Sequence, residues 1–199
     1  MIRVFVAGSP EKVDPDACLG LLTPERRERI LRSRNESARR QSAAAELLLR
    51  YALRSVFGID DLPRIALREG GKPYFPTHPE IRFNLSHCPL AAACAVADTE
   101  VGVDVQDIRP ASDAVLRRVL CENEQAYVQN AADKDTAFAV LWSRKEAILK
   151  MRGSGIASAL AALDVSARAD VTTQTFGRYV VSACCVARES CRIETVDIF

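Results

Sequence analysis

The order of elements along the chain predicts an α+β protein in two similarly sized halves. Three observations carry this expectation. Two helical segments precede any run of strands, three strand-like segments lie between Ile81 and Ile108, and further helices then give way to short strands. At 199 residues, 48% hydrophobic and 27% charged, the chain is long and apolar enough to bury a real core. Its formal net charge of +1 argues against a molecule built as a whole for nucleic acid or an anionic membrane.

The elements follow in order. Ile2 to Gly8 reads as an edge or core strand, its apolar part too short for a signal peptide. Thr23-Pro24-Glu25 starts a helix, with a hydroxyl N-cap, proline at the first position and an acid facing the dipole. A longer helix runs from about Glu36 to Phe57 and ends at Gly58, with Ala43, Leu47, Leu48, Tyr51 and Val56 as its apolar stripe. Glu69-Gly70-Gly71-Lys72-Pro73-Tyr74 is a turn-rich loop. Ile81 to Ser86 alternates as a strand, Leu90 to Ala97 is a second and Val101 to Ile108 a third, which we read as an antiparallel meander. Helices are expected over Asp113–Cys121, Glu122–Asn130 and Lys134–Met151, the last ended by Gly153 and Gly155. Short strands are expected at Ala162–Ser166, Val171–Phe176, Tyr179–Cys185 and Arg192–Ile198. The halves divide at 1–100 and 101–199. No apolar run reaches membrane-spanning length. Seven cysteines, an odd number without a CxxC pair, fit free thiols in a reducing cytoplasm; adjacent Cys184 and Cys185 should face opposite sides of a strand.

Two segments carry chemistry. In Val101-Gly102-Val103-Asp104-Val105-Gln106 the valines share one face, and Gly102, Asp104 and Gln106 the other. A glycine beside an acid and an amide leaves room for a ligand to approach the backbone, although a half-buried strand with a polar face reads the same way. In Trp142-Ser143-Arg144-Lys145-Glu146-Ala147-Ile148-Leu149-Lys150, residues 142, 146 and 150 lie along one helix face. Glu146 and Lys150 taken alone also match an ordinary helix ion pair worth about 0.3–0.5 kcal/mol.

Together, a G-[VI]-D-[VI]-x strand followed by W-S-x-K-E-A-[IL]-x-K resembles the Sfp-type (surfactin-synthetase-activating) 4'-phosphopantetheinyl transferases. Gly71-Lys72-Pro73-Tyr74 is similar to that family's coenzyme A loop and Phe83-Asn84-Leu85-Ser86-His87 to its F-N-[IL]-S-H strand. The stretch from Thr23 to Arg29 is similar to its basic N-terminal helix. The resemblance implies two pseudo-symmetric halves, each a small antiparallel sheet packed with helices, in a monomer. It implies transfer of 4'-phosphopantetheine from coenzyme A to a serine of an acyl or peptidyl carrier protein of fatty-acid, polyketide or nonribosomal-peptide synthesis.

By the same resemblance Asp104, Gln106 and Glu146 would hold magnesium or manganese, and Lys150 would contact the pyrophosphate and assist the leaving phosphate. Lys72 and Pro73 would line the adenine side, and Ser86 and His87 would hold the 3'-phosphate. Arg26, Arg29 and Arg40 would add positive charge, and Lys145 would assist phosphate binding. Glu122 and Glu124 read as helix-surface residues. Two departures stand out: Gln106 replaces a third acidic ligand of many bacterial members, and Gln41 stands where an arginine of the long helix aligns, with Arg39 or Arg40 as substitutes. The rival readings are an inactive coenzyme A or carrier-protein binding module and a nucleic-acid binder using the Arg26–Arg40 segment. That segment holds Arg26, Arg27, Arg29, Arg32, Arg34, Arg39 and Arg40 against Glu28 and Glu36 but lacks interleaved aromatics.

Overall fold

A computed structural model describes residues 2–153, 160–186 and 191–199. The architecture is four-layered, helix on sheet on sheet on helix. Strand β1 (Ile2–Gly8) is followed by α1 (Pro24–Arg32) and α2 (Glu36–Phe57), and then by the two-residue strands β2 (Ala66–Leu67) and β3 (Pro73–Tyr74). Strands β4 (Arg82–His87), β5 (Ala91–Ala97) and β6 (Val101–Asp107) come next. Helices α3 (Asp113–Val119), α4 (Glu122–Asn130) and α5 (Lys134–Arg152) precede β7 (Val171–Phe176), β8 (Tyr179–Cys185) and β9 (Arg192–Thr195). Local chemistry sets the helix ends. Thr23, Asn35, Ser112 and Asp133 each accept from a backbone N–H of the first turn, and Gly58 (φ 69°) and Gly153 (φ 70°) close α2 and α5 in the left-handed conformation.

The first sheet has the order β4-β5-β1-β9, with β1 antiparallel to β5 and parallel to β9. β1 is therefore an interior strand. The second sheet has the order β6-β8-β7. The expected meander is thus corrected: β4 and β5 pair, but β6 leaves for the second sheet. Its Val101, Val103 and Val105 pack against Val4, Val6, Ala93 and Ala95 of the first, forming the core between the sheets. β5 is fully buried because α2 covers its other face, where Ala43, Ala44 and Ala45 let the helix come close. The stripe of α2 that is buried deepest runs through Ala45, Leu48, Leu49 and Ala52; Tyr51 lies at its margin, edge-on to Phe5.

Helix α5 covers the outer face of the second sheet over a core that includes Ala147, Ile148, Val171 and Cys184. Cys184 belongs to this core and Cys185 to the inter-sheet core, on opposite faces as the strand pleat requires. No strand forms over 162–166; a single 3₁₀ turn at Leu160–Ala162 stands there, and the backbone N–H of Val165 donates to Glu124 instead of to a ladder. Gly155 lies outside the described residues. Among those described, no helix is long and apolar enough to cross a membrane.

Candidate active site

Strands β4 and β6 belong to different sheets, yet side chains stitch them together. Asn84 Oδ1 accepts from the backbone N–H of Val103 at 3.0 Å, and Ser86 Oγ from that of Val105 at 3.2 Å. These side chains satisfy the edge N–H groups of β6 where a strand partner is lacking. Ser86 Oγ in turn donates to Asp104 Oδ1 at 2.9 Å. Lys150, from the last turn of α5, reaches both: Nζ lies 2.6 Å from Asp104 Oδ1 and 2.8 Å from Ser86 Oγ. Ser143 Oγ donates to the carbonyl of Asp104 at 3.3 Å. The two informative segments of the sequence therefore meet.

Gly102 explains how closely they meet. A Cβ there would sit 2.0 Å from Ala147 O and 2.5 Å from Met151 N. The room expected for a ligand is filled by α5 itself: the glycine lets the helix lie against the strand and brings Glu146 and Lys150 to Asp104.

Asp104 is 5% and Glu146 4% exposed. Asp104 Oδ2 and Glu146 Oε1 are buried acceptors without a hydrogen-bond partner. Burial raises the Glu146 pKa above the usual carboxylate range, Asp104 pushes it the same way, and Lys150 opposes both. Two unpartnered carboxylate oxygens in a buried site fit a hard divalent cation, which takes oxygen ligands and tolerates only a few from protein. Gln106, on the same face of β6, is half-buried, and its amide donates to Asp107 O at 3.3 Å.

Glu146 and Lys150 line a cavity of about 170 Å³ with Gly71, Pro73 and Asn84. Those last three residues also line a second cavity of about 440 Å³, whose other walls include Arg26, Arg29, Glu46, Phe83 and His87. The two form one groove from α5 to α1. Arg26 is held in it by Glu46, whose Oε2 accepts from Arg26 Nε at 2.8 Å while Oε1 accepts from Thr23 N and Oγ. Arg29 has no carboxylate partner among the described residues. His87 Nδ1 lies 3.2 Å from Gln41 Oε1. Crowding by protein atoms, then the charges of Arg26, Lys150 and Arg29, lower the imidazole pKa to about 4, so it is neutral at pH 7.

Three cations expected around coenzyme A have other partners for their charge. Lys145 is fully buried, ion-paired to Glu124 at 2.5 Å and bonded to Leu160 O. Glu124 is fully buried as well and not a surface residue, because its carboxylate also accepts from Cys121 N and Val165 N. Cys121, Glu124 and Asp164 form a group with metal-ligating atoms, but these bonds already engage Glu124. Arg40 is bonded to Glu36 and to the carbonyls of Glu11 and Val13, away from the groove, and Arg39 pairs with Asp16 and Glu36. Gln41 thus reaches His87, and neither neighbouring arginine does. Lys72 lines the smaller cavity with its stem, while its ammonium is bonded to Glu100 and to the carbonyls of Val101 and Met151.

Sequence reading passed over Asn84, Glu46 and Glu100. Asn84 was within reach, since alternation puts it on the Ser86 face of β4. Glu46, the lone acid in the apolar run Ala43–Leu49, carried a signal too. Glu100 had none.

Comparison with known proteins finds relatives for this chain. A sequence profile described as the 4'-phosphopantetheinyl transferase superfamily matches residues 100–191. The chain is 28% identical over 156 residues to the 4'-phosphopantetheinyl transferase Sfp of Bacillus subtilis (strain 168), covering 76% of this chain and 69% of that one. It is 34% identical over 124 residues to a 4'-phosphopantetheinyl transferase of Bacillus pumilus, covering 61% and 53%. It is 35% identical over 100 residues to the 4'-phosphopantetheinyl transferase AcpT of Salmonella typhimurium, covering 48% and 52%. The segment that joins Asp104 to Glu146 and Lys150 lies inside the matched region, and over most of its length the chain is similar to the Sfp-type 4'-phosphopantetheinyl transferases.

Proposed function

We propose that this chain transfers 4'-phosphopantetheine from coenzyme A to a serine of an acyl or peptidyl carrier protein, releasing adenosine 3',5'-bisphosphate. One observation carries the reading: the buried Asp104–Ser86 pair, bonded to Lys150 and with the unpartnered Oε1 of Glu146 in the same site, opens onto a groove lined by Arg26, Arg29 and His87. In this reading the groove takes the nucleotide, with Pro73 and the stem of Lys72 on the adenine side and His87, Arg26 and Arg29 at its phosphates. The halves 1–100 and 101–199 are the coenzyme A side and the metal side of a monomer that works in the cytoplasm.

Asp104 and Glu146 would hold magnesium, or manganese in its place, with Gln106 as a neutral third donor. A cation there supplies charge neutralisation for the pyrophosphate. The serine oxygen attacks the phosphorus next to pantetheine, and the bond from that phosphorus to the bridging oxygen breaks. The bond's electron pair leaves with adenosine bisphosphate. Phosphoryl transfer asks the protein chiefly for positioning and charge stabilisation. Lys150 contributes the charge at the leaving phosphate, and Glu146, directly or through water, takes the serine proton.

The test is intact-protein mass spectrometry of apo carrier proteins incubated with the chain, coenzyme A and magnesium. The expected result is one phosphopantetheine mass gain, abolished by chelator and strongly reduced by Glu146→Ala. Coenzyme A binding without any gain on fatty-acid, polyketide or peptide carriers would overturn the reading in favour of an inactive binder. Retention of Glu146, which senses the charge of Asp104, and of Lys150, bonded to it at 2.6 Å, disfavours that alternative.

A further inference from the structure

The loop that walls the groove on its nucleotide side is fastened by a residue outside every motif above. Glu100 stands in the turn before β6, four positions ahead of Asp104. Its Oε2 lies 2.5 Å from Lys72 Nζ, and its Oε1 lies 3.2 Å from Arg68 Nη1 and 3.1 Å from Arg82 Nε. One carboxylate thus gathers three cations, from both ends of the turn between β2 and β3 and from β4. The cations hold its pKa below the usual range, although partial burial works the other way.

Lys72 passes this anchorage on to the catalytic helix. Its ammonium also donates to Val101 O at 3.2 Å and to Met151 O at 2.5 Å, so all three protons are engaged. Met151 follows Lys150 in the last turn of α5. The backbone closes the same contact: Gly70 adopts φ 91°, and a Cβ on it would lie 2.5 Å from Gly153 O at the cap of α5. Only glycine permits that approach. Gly71, between these two fastenings, and Pro73, next after Lys72, line both cavities of the groove.

We propose that Glu100 is a positioning residue for coenzyme A: through Lys72 it holds the Arg68–Pro73 turn against the end of α5 and fixes the separation between the nucleotide wall of the groove and Glu146 and Lys150. The inference rests on the reading of the groove as a coenzyme A site. Charge alone predicts the opposite consequence. Glu100 is negative near an anionic ligand, so an electrostatic role would make its neutralisation tighten coenzyme A binding. Positioning predicts weaker binding, because the released turn must be ordered again at each binding event.

The experiment compares the full chain with Glu100→Gln, Glu100→Asp and Lys72→Met. Coenzyme A and adenosine 3',5'-bisphosphate affinities are measured by calorimetry, carrier modification gives KM and kcat, and hydrogen exchange follows the 66–74 amides in protein alone. Glu100→Gln should bind both nucleotides about tenfold more weakly, the size expected for losing a charge-assisted hydrogen bond. KM for coenzyme A should rise with KM for the carrier unchanged. Exchange at 66–74 should quicken while the rest of β4 and β5 stays protected. Glu100→Asp should recover part of the affinity, and Lys72→Met should reproduce the Glu100→Gln result. Equal or tighter binding in Glu100→Gln with unchanged exchange would overturn the proposal. Quickened exchange in a chain whose parent binds no coenzyme A would uphold the clip and overturn the functional reading instead.

Discussion

Replacing Gly102 by alanine tests the reasoning about the site most directly. The added methyl would lie 2.0 Å from Ala147 O, 2.5 Å from Met151 N and 2.9 Å from Met151 Cβ. Two of these atoms are helix backbone, so no rotamer change relieves the clash. Restoring an ordinary carbon–oxygen contact of about 3.3 Å moves α5 outward by about 1.3 Å. Lys150 Nζ, now 2.6 Å from Asp104 Oδ1, would be carried out of hydrogen-bond range, and Glu146 would move with it. Overpacking of this kind costs about 1–3 kcal/mol, so the variant should fold with a lowered melting temperature. Misplacing catalytic groups by about 1 Å costs about a hundredfold in rate, and kcat/KM for carrier modification should fall by that factor. Carrier mass spectrometry over time gives the rate, and circular dichroism confirms folding. A folded variant that keeps its rate within a factor of about three would refute the close-approach argument. So would full rescue by adding Met151→Ala, which removes only the side-chain contact.

Lys145→Met should destabilise the chain by about 3–5 kcal/mol in urea melts, because it leaves Glu124 buried without its cation; an equally stable variant that lost only phosphate affinity would restore a phosphate role. Gln106→Glu should tighten magnesium or manganese binding by about tenfold in calorimetry, since it adds charge beside Asp104 and Glu146; unchanged affinity would remove Gln106 from the metal site. With its pKa lowered to about 4, His87 in the folded chain stays neutral while the unfolded chain takes up a proton below about pH 6.5. Stability is therefore undiminished by this group above pH 6.5 and falls as the pH drops towards 4. His87→Gln should flatten that slope in melts from pH 7 to 4, and an unchanged slope would contradict the assignment.

Much of the site was legible because its signals are short-range. Strand alternation separated Val101, Val103 and Val105 from Asp104, helical spacing aligned Glu146 with Lys150, and caps such as Thr23, Gly58 and Gly153 are decided within one turn. The destinations of the long cations were not legible. Lys72 and Lys145 are themselves motif positions and Arg40 stands beside one, but their neighbours in sequence do not say where four or five rotatable bonds will take the charge. Lys72 reaches Met151, distant in sequence, and Lys145 reaches Glu124 across two helices.

The same division explains which sheet β6 joins. Its pattern demanded two unlike faces, which either sheet could supply, and only packing against β5 and α5 chose the second. The sequence by itself determined most of the element types, and its motifs carried the family resemblance that groups Asp104 with Glu146 and Lys150, because periodicity and motif order survive without coordinates. Tertiary structure alone decided that α5 fills the space at Gly102, that Asn84 and Ser86 bond β4 to β6, and that Glu100 gathers three cations. Each of these depends on contacts between residues far apart in the chain, where close packing and the satisfaction of buried polar groups outweigh any local preference.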